Sequence, residues 1–492
     1  MRKYCLSLLL LFLTLVSNAV EPPKREIRGV WLTTVYGLDW PHNPATTETG
    51  RKAQQRDVCD ILDRLQDANF NTVFLQVRMR GDVIWRSAIE PASKTFSGKY
   101  GMMPGYDPLA FVVDECHKRG MECHAWFVTF LLGTDKSVKE QGKLSVVRRQ
   151  PKLCKRHNGE WYLDPGVPGT SDYVLSLVKE LVNGYDIDGI HFDYIRYPEQ
   201  AKSFPDKNLY NKYGKKRPLA EWRRENINKM VYRIYDWVKS VKPWIQVSSS
   251  PLGKYNRIER VPNAGWTAYE SVFQDPKMWM QNGKQDMIVP MMYYLHDNFF
   301  PFVDNWVDNC NGRLVVPGLG AYRMLKEEAD WTVNDITDQI DYSRYYGRAG
   351  CTFFRCANIL DNTKGIYDEL KDKYYKYPAQ LPPLSWLDDT VPAAPEEIRV
   401  EKEGDELKLS WQKPDSEKDV LTYTVYYSLT DSINPTSARN ILMTGIRDTS
   451  IYLPVDTTSE RGYIFSVSSS TRYHIESVLS KETYYYLSKY PK

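Results

Sequence analysis

Between about residues 25 and 377 the chain repeats one pattern of apolar and polar positions. A short apolar run, rich in β-branched residues, is followed by a turn and then by apolar residues at helical spacing, as Val58, Leu62 and Leu65 show within 57–68. Further helices are predicted over 108–119, 171–183 and 223–241. The eight predicted strands are 29–35, 72–77, 122–127, 189–194, 246–250, 286–293, 314–318 and 350–354.

Apolar strands that alternate with helices favour a closed parallel (β/α)8 TIM barrel. An open doubly wound sheet is the main alternative, and no GxGxxG motif supports a dinucleotide-binding version of it.

The pattern changes after residue 377. A proline-rich, polar stretch over 378–391 predicts a linker. Beyond it, runs such as 407–411, 421–428 and 463–469 alternate as strands do, and no helical pattern intervenes. We therefore expect a barrel over 25–377 and a small all-β, immunoglobulin-like sandwich over 392–492. Val391-Pro392, Trp411 and the tyrosine-rich strand near Tyr423 resemble a fibronectin type III module, to which we assign no chemistry.

The first nineteen residues predict an export signal. Arg2 and Lys3 precede an apolar run over 6–16, and Ser17-Asn18-Ala19 supplies the small residues that signal peptidase requires. The run is too short for a permanent transmembrane helix, and no other segment is long and apolar enough. The sequence thus predicts a signal peptide over 1–19 and an exported protein, periplasmic or secreted, without a transmembrane segment.

Composition narrows the classes of partner. The 65 Lys and Arg nearly balance the 62 Asp and Glu, for a formal net charge of +3, so charge gives no reason to expect nucleic acid. The 35 Tyr and 14 Trp are compatible with sugar binding as well as with a large core. Of the eight cysteines, Cys5 lies in the signal segment, and the odd number that remains leaves at least one unpaired within the chain. The Cys116-His117 and Cys123-His124 pairs predict small buried residues rather than a metal site, and we expect no metal or cofactor.

The fourth predicted strand carries the clearest chemical signal. Residues two apart on a strand share a face, so Gly189, His191 and Asp193 point into the barrel while Ile190 and Phe192 point outward. Catalytic groups of such barrels lie at the C-terminal ends of the strands. Burying a carboxylate in the barrel interior without a partner costs free energy. Its presence at that position therefore favours Asp193 as a catalytic residue over an Asp that caps the following loop.

Several motifs fall in order on successive predicted strands. They are Arg28-Gly29-Val30-Trp31-Leu32, Gln76-Val77-Arg78, Gly81-Asp82, Tyr106-Asp107-Pro108-Leu109, His124-Ala125-Trp126-Phe127, residues 188–198, Gln274-Asp275-Pro276 and Pro290-Met291-Met292-Tyr293. With these motifs, residues 25–375 resemble the glycosyl-hydrolase-like family 10. The resemblance implies a TIM barrel, an exported bacterial protein and glycosidase activity, and members have been linked to peptidoglycan glycan strands stripped of their peptides. It also implies distant kinship with glycosidases whose nucleophile is an Asp that ends the fourth strand, which matches Asp193. The run Val128-Thr129-Phe130 and Pro276 depart from the commoner family pattern, and both departures concern the substrate subsites.

Glycoside cleavage ordinarily needs two carboxyl groups. Asp193 is the predicted nucleophile or base, and Asp275 is the predicted acid because it lies in a matched motif; an equally open interpretation makes Asp275 a helix N-cap. Asp39 and Asp82 are reserve candidates for the acid, and Glu270 lies in the same loop as Asp275.

A second set of residues is predicted to bind the sugar. Arginines suit anionic substituents, histidines suit hydroxyl groups, and aromatic rings at strand ends stack on sugar faces. A core role is the alternative for each histidine and each aromatic residue. The set is Trp31, Arg78, Asp82, His124, Trp126, His191, Tyr194, Arg196 and Tyr293, with Tyr322 as a further aromatic candidate.

Three functions are compatible with these signals. The first is a glycoside hydrolase that acts on a polysaccharide or oligosaccharide. The second is a non-catalytic glycan-binding protein on a degenerate barrel, favoured if no carboxyl group lies near Asp193. The third, a metal-dependent deacetylase or other hydrolase, needs clustered His and Asp ligands, and the chain has only seven His. No P-loop, serine nucleophile elbow or HExxH motif occurs.

Overall fold

The computed structural model describes residues 21–345, 349–415, 420–429, 432–454 and 462–486. The predicted signal peptide lies outside the described residues. Within them, no helix combines the length and the apolar character that crossing a membrane requires.

The predicted alternation of strands and helices is present up to residue 369. The strands are β1 (Ile27–Leu32), β2 (Thr72–Arg78), β3 (Glu122–Val128), β4 (Leu131–Thr134), β5 (Cys154–His157), β6 (Glu160–Leu163), β7 (Gly189–Asp193), β8 (Gln246–Ser249), β9 (Met287–Ile288), β10 (Leu314–Val315), β11 (Gly318–Leu319), β12 (Gly350–Phe353), β13 (Glu396–Glu403), β14 (Glu406–Gln412), β15 (Val420–Ser428), β16 (Ile441–Ile446), β17 (Ser450–Pro454), β18 (Tyr463–Thr471) and β19 (Thr483–Tyr485). The α-helices of five or more residues are α1 (Glu48–Asp67), α2 (Pro108–Lys118), α3 (Asp135–Gln141), α4 (Thr170–Gly184), α5 (Leu219–Val241), α6 (Pro276–Gln281), α7 (Phe300–Asp308), α8 (Val333–Tyr345) and α9 (Cys356–Leu360).

Nine strands form one parallel sheet in the order β10-β9-β8-β7-β3-β2-β1-β12-β11. The two ends of this order, β10 and β11, are halves of one predicted strand, interrupted where Pro317 has no N–H to donate. Val316 N donates to Ile288 O on one side of this segment, and Thr352 N donates to Pro317 O on the other. The sheet therefore curls, and with its helices it fits an α/β barrel of the TIM type.

The strands separate two apolar cores. Trp31, Phe74 and Trp126 belong to a cluster inside the sheet. Ile190 and Phe192 belong to the larger cluster between the strands and the helices. His191, which lies between Ile190 and Phe192 on the strand, contacts Trp31 and Phe74 of the inner cluster. The predicted directions of the side chains along the fourth strand are therefore confirmed.

Boundaries differ from the sequence-based expectation where local chemistry intervenes. Helix α1 begins at Glu48, nine residues before the predicted start, because Thr47 caps it by accepting a hydrogen bond from Gly50 N. The sixth strand is only Met287–Ile288, because Pro290 interrupts the run predicted over 286–293. All seven cysteines after the predicted signal segment are free thiols. Cys116 and Cys123 are buried, as predicted.

A small antiparallel sheet, absent from the prediction, follows β3 directly. Its order is β4-β6-β5, with Leu131 opposite Tyr162 and Thr134 opposite Glu160. Leu131 comes three residues after the last residue of β3. This insertion therefore lies beside the C-terminal ends of the barrel strands, where an active site is expected.

The described residues of the C-terminal region form two antiparallel sheets, β13-β14-β17 and β16-β15-β18-β19. Leu409 and Trp411 from the first sheet share one apolar cluster with Val425, Phe465 and Val467 from the second. The region is all-β, and its likeness to a fibronectin type III module stays a prediction.

The C-terminal region and the segment before it contact the barrel at the N-terminal ends of its strands. Asn71, just before β2, donates to Ala379 O at 3.2 Å. Asp286, just before β9, accepts from Trp386 Nε1 at 3.1 Å. The segment predicted as a linker thus lies against the end of the barrel opposite to Asp193.

One buried carboxylate joins the two parts of the chain. Glu122, at the start of β3, contacts His474 Nε2 at 2.7 Å and His124 Nε2 at 2.9 Å. Burial favours the neutral acid, but the two histidines outweigh it and hold the pKa of Glu122 well below its usual range. Burial likewise disfavours the charged form of His474. The Glu122 carboxylate outweighs this effect of burial and raises the pKa of His474.

We expect Glu122→Gln to lower the free energy of unfolding by about 3 kcal/mol, because it removes the charge that pairs with His474. The lowered pKa of Glu122 stabilises the fold above the unfolded-state pKa of about 4.3, and this stabilisation is lost as the pH falls. The raised pKa of His474 stabilises it below about 6.5, and this stabilisation is lost as the pH rises through the folded-state pKa. Thermal unfolding near pH 5.5 therefore gives the largest difference from the wild type. Glu327→Gln, at an exposed position, is the matched control, and equal unfolding temperatures of the two variants would contradict the charge pairing.

Candidate active site

A cavity of about 290 Å³ opens at the C-terminal ends of the barrel strands. We call it the rim cavity. Its aromatic walls come from Trp31, Trp126, Tyr194, Tyr293 and Phe354. Of the described residues that line it, Asp193 alone carries a carboxyl group.

Asp193 is the last residue of β7 and is 5% exposed. Its Oδ1 accepts from Tyr194 N at 2.7 Å, and its Oδ2 accepts from Trp126 Nε1 at 3.2 Å. In the described part of the chain, no Lys, Arg or His nitrogen lies within salt-bridge distance of it. Burial raises the pKa of Asp193, against the opposing effects of the Arg196 charge and the hydrogen bonds. The carboxylate is therefore held in place by neutral donors and faces open space.

His191 lies one layer below Asp193 and is fully buried. Trp31 Nε1 donates to His191 Nε2 at 3.3 Å, which places the ring proton on Nδ1, 2.9 Å from Ser248 Oγ. Burial lowers the pKa of His191 well below its usual value, so the ring is neutral. His191 does not line the rim cavity; it orients Trp31, which does.

His124 lies deeper in the barrel interior and contacts Glu122 rather than the rim cavity. Its ring also explains the glycine that begins β7. A Cβ on Gly189 would come within 2.2 Å of His124 Nδ1. This histidine therefore packs the barrel interior.

Two predicted binding residues are engaged with the protein. Arg78 is fully buried, and its Nε and Nη2 each donate to Glu90 at 2.7 Å. Asp82 Oδ1 accepts from Arg80 N at 3.1 Å, and burial raises the pKa of Asp82. Neither side chain lines the rim cavity, and both hold the loop after β2. Glu90, which has no strand-end position to signal it, was missed by the sequence reasoning.

The candidates for a second carboxyl group also lie outside the rim cavity. Asp275 caps α6, because its Oδ1 accepts from Met278 N at 3.3 Å, and it also accepts from Tyr255 OH at 2.9 Å. Asp39 pairs with Arg355 at 2.5 Å and accepts from Thr33. Glu270 pairs with an exposed arginine.

A second cavity of about 290 Å³ adjoins the first and shares Arg80, Leu131 and Tyr194 with it. We call it the side cavity. Arg196 lines it, together with two carboxyl residues that the sequence reasoning missed, Glu160 and Glu199. Glu160 begins β6 of the unpredicted small sheet, so the strand-end argument could not find it.

The remaining predicted residues divide between these cavities. Trp31, Trp126 and Tyr293 line the rim cavity, Arg196 lines the side cavity, and Tyr194 lines both. Tyr194 adopts a left-handed φ of 49°, which turns the chain sharply after Asp193. Tyr322 packs edge-on against Tyr293 and Phe354, which line the rim cavity.

In the described residues, no three His, Cys, Asp or Glu side chains are grouped as a metal site would need.

The family model described as "Glycosyl hydrolase-like 10" matches residues 26–306, more than half of the chain. The chain belongs to this family. It is 30% identical over 485 residues to "Glycosyl hydrolase YngK" of Bacillus subtilis (strain 168), covering 93% of each chain. It is 34% identical over 343 residues to "Glycosyl hydrolase DigH" of Escherichia coli (strain K12), covering 64% of this chain and 78% of the relative.

Among solved structures, the chain is similar to the PgaB (BpsB) glycoside hydrolase domain from Bordetella bronchiseptica. The identity is 14%, the TM-score is 0.49, and the match covers 71% of this chain and 99% of that domain.

Trp126→Phe removes the N–H that donates to Asp193 Oδ2. Because that hydrogen bond favours the ionised form, we expect its loss to raise the pKa of Asp193 further. Carbon-13 NMR titration of Asp-labelled protein, assigned with Asp193→Asn, measures the change. Trp237→Phe, on α5 away from the rim cavity, is the control, and an unchanged pKa of Asp193 in Trp126→Phe would contradict the described contact.

Proposed function

We propose that this chain hydrolyses glycosidic bonds in a polysaccharide, with Asp193 as the carboxylate that acts at the anomeric carbon. The observation that carries the proposal is the environment of Asp193. Its carboxylate is buried at the end of a barrel strand, faces a cavity with aromatic walls, and has no cationic partner at contact distance among the described residues. Membership of a glycosyl-hydrolase-like family supports the same reaction class.

The aromatic walls suit a sugar ring. Trp31, Trp126 and Tyr293 present flat apolar faces that pack against sugar C–H groups. Burial raises the pKa of Tyr293 well above its usual value, so its hydroxyl stays protonated and available as a donor. These rings can hold a sugar over the carboxylate, and positioning of this kind lowers the barrier to attack.

Asp193 then acts in one of two ways. It attacks the anomeric carbon itself, or it removes a proton from a water that attacks. In either case the bond from the anomeric carbon to the leaving oxygen breaks, positive charge develops on the sugar, and the adjacent carboxylate stabilises it. Because Asp193 is not neutralised by a salt bridge, its full charge is available to the reacting centre.

The leaving oxygen needs a proton. We propose Glu160 as its donor, because Glu160 is half-buried and lines the side cavity that adjoins the rim cavity. Asp275, the donor favoured by the sequence motif, has its Oδ1 occupied by Tyr255 OH and Met278 N. Glu199 is exposed, which suits a proton donor less well.

For the substrate we propose peptidoglycan glycan strands from which the peptides have been removed. The family resemblance suggests this substrate, and the predicted export would bring the enzyme to it. A glycan-binding protein without activity is the second candidate. It is favoured because Asp193 alone supplies a carboxyl group among the described residues that line the rim cavity.

Asp193→Asn tests the reaction. We expect cleavage to fall by about a thousandfold or more, with the unfolding temperature preserved, because the side chain keeps its shape and loses its charge. Wild type and variant are incubated with peptide-free peptidoglycan, peptide-bearing peptidoglycan and plain glucans, and the products are separated by chromatography and weighed by mass spectrometry. Full activity of the variant would eliminate the mechanism, and a wild type that binds but cleaves none of these glycans would favour the binding protein.

Glu160→Gln and Asp275→Asn separate the two possible proton donors. We expect Glu160→Gln to lower the rate by about a hundredfold, through loss of the donor. Asn is as good an N-cap as Asp, so Asp275→Asn is expected to keep both stability and activity. The opposite pattern of rates would return the role of acid to Asp275.

A further inference from the structure

Arg196 is a buried cation, and no anionic partner lies at contact distance from it among the described residues. It is 5% exposed, and its Nε and Nη1 have no hydrogen-bond partner in the part of the chain that the structure describes. The guanidinium lies 4.6 Å from the centre of the Tyr194 ring and 5.3 Å from that of Trp266. Ring contacts attract the charge but do not replace acceptors for the two N–H groups, whose burial is costly.

A second arginine borders the same space. Arg80 lines both the rim cavity and the side cavity, and its guanidinium lies 5.2 Å from the centre of the Tyr36 ring. Among described residues, no carboxylate oxygen lies within 4.0 Å of a side-chain nitrogen of Arg80 or of Arg196. The side cavity, which adjoins the rim cavity, therefore presents two guanidinium groups without an ion pair among the described residues.

Acidic groups in the side cavity do not neutralise these arginines at contact distance. Glu160 Oε2 accepts from Tyr162 OH, and Glu199 is exposed. Asp193 lies close enough for the Arg196 charge to oppose the rise in its pKa, but outside salt-bridge distance. Nε and Nη1 of Arg196 thus find no acceptor among the described residues.

Resting on the proposed function, we infer that the side cavity is a subsite for a sugar that bears a carboxylate, and that Arg196 binds this carboxylate. The planar fork of a guanidinium matches the two oxygens of a carboxylate, and burial between aromatic rings fixes its direction.

This subsite gives a physical reason for a preference for peptide-free strands. A peptide joined to a sugar through an amide leaves a free carboxylate when the amide is cleaved. The amide is neutral and bulky, whereas the carboxylate is charged and small. A cavity of about 290 Å³ with unpaired arginines therefore favours the sugar after removal of the peptide.

Binding to the full chain in an Asp193→Asn background tests the subsite without turnover. The two ligands are short peptide-free peptidoglycan strands and the same strands with their carboxyl groups reduced to alcohols. Isothermal titration calorimetry compares the background protein with versions that also carry Arg196→Gln or Arg80→Gln. Arg233→Gln, on the outer face of α5, is the matched control.

We expect carboxyl reduction to weaken binding to the background protein about tenfold or more, the factor expected for one lost charge-assisted hydrogen bond. Arg196→Gln should weaken binding of the native strands by a similar factor and no longer distinguish the two ligands. Arg80→Gln should weaken binding of the native strands less, and Arg233→Gln should match the background protein.

Equal affinity of the background protein for the two ligands, or binding of neither, would overturn the subsite. Equal weakening of both ligands by Arg196→Gln would also overturn it, because Arg196 would then act on the fold or on residue 193. If Arg196→Gln fails to fold, the affinities of the background protein and of Arg80→Gln for the two ligands test the subsite instead. A wild type that prefers the carboxylated strands but leaves them uncut would contradict the proposed function and support the subsite.

Discussion

A parallel strand in a curled sheet sends every second side chain to the interior, and the last inward residue therefore lies at the rim. On β7 this rule places Gly189, His191 and Asp193 in three successive layers. The lower two layers are closed by packing: the His124 ring fills the space beside Gly189, and His191 is held by Trp31 and Ser248. Only the top layer faces open space, so the geometry of one strand separates the core from the reactive carboxylate.

The two ends of the barrel differ in how their buried charged residues are paired. At the N-terminal ends, Glu122 and Asp286 are in ion pairs and in contact with the C-terminal part of the chain, which stabilises the assembly. At the C-terminal ends, Arg78 and Asp39 are also in ion pairs, but Asp193 and Arg196 are buried with no salt-bridge partner among the described residues. Unpaired buried charge destabilises a fold, and its concentration at one end marks the place where a ligand completes the structure.

The sequence was sufficient for features that depend on local periodicity. The strand-helix alternation, the direction of Asp193 and the burial of Cys116 and Cys123 all follow from spacing and side-chain polarity. Features that depend on contacts between residues far apart in the sequence could not be predicted from it. Arg78 looked like a ligand-binding group because nothing local reveals that Glu90 folds back onto it, and Asp275 could not be separated from an N-cap. Glu160 lies on a short insertion whose strands are too brief to give a periodic signal.

The central claim is that Asp193 faces the anomeric carbon of a bound sugar. A crystal structure of the Asp193→Asn variant with a peptide-free glycan strand tests it most directly. The account predicts a sugar between the aromatic walls of the rim cavity, with its anomeric carbon about 3.5 Å from the side chain at position 193 or separated from it by one water. A glycan bound elsewhere, or with its anomeric carbons turned away from that side chain, would contradict it.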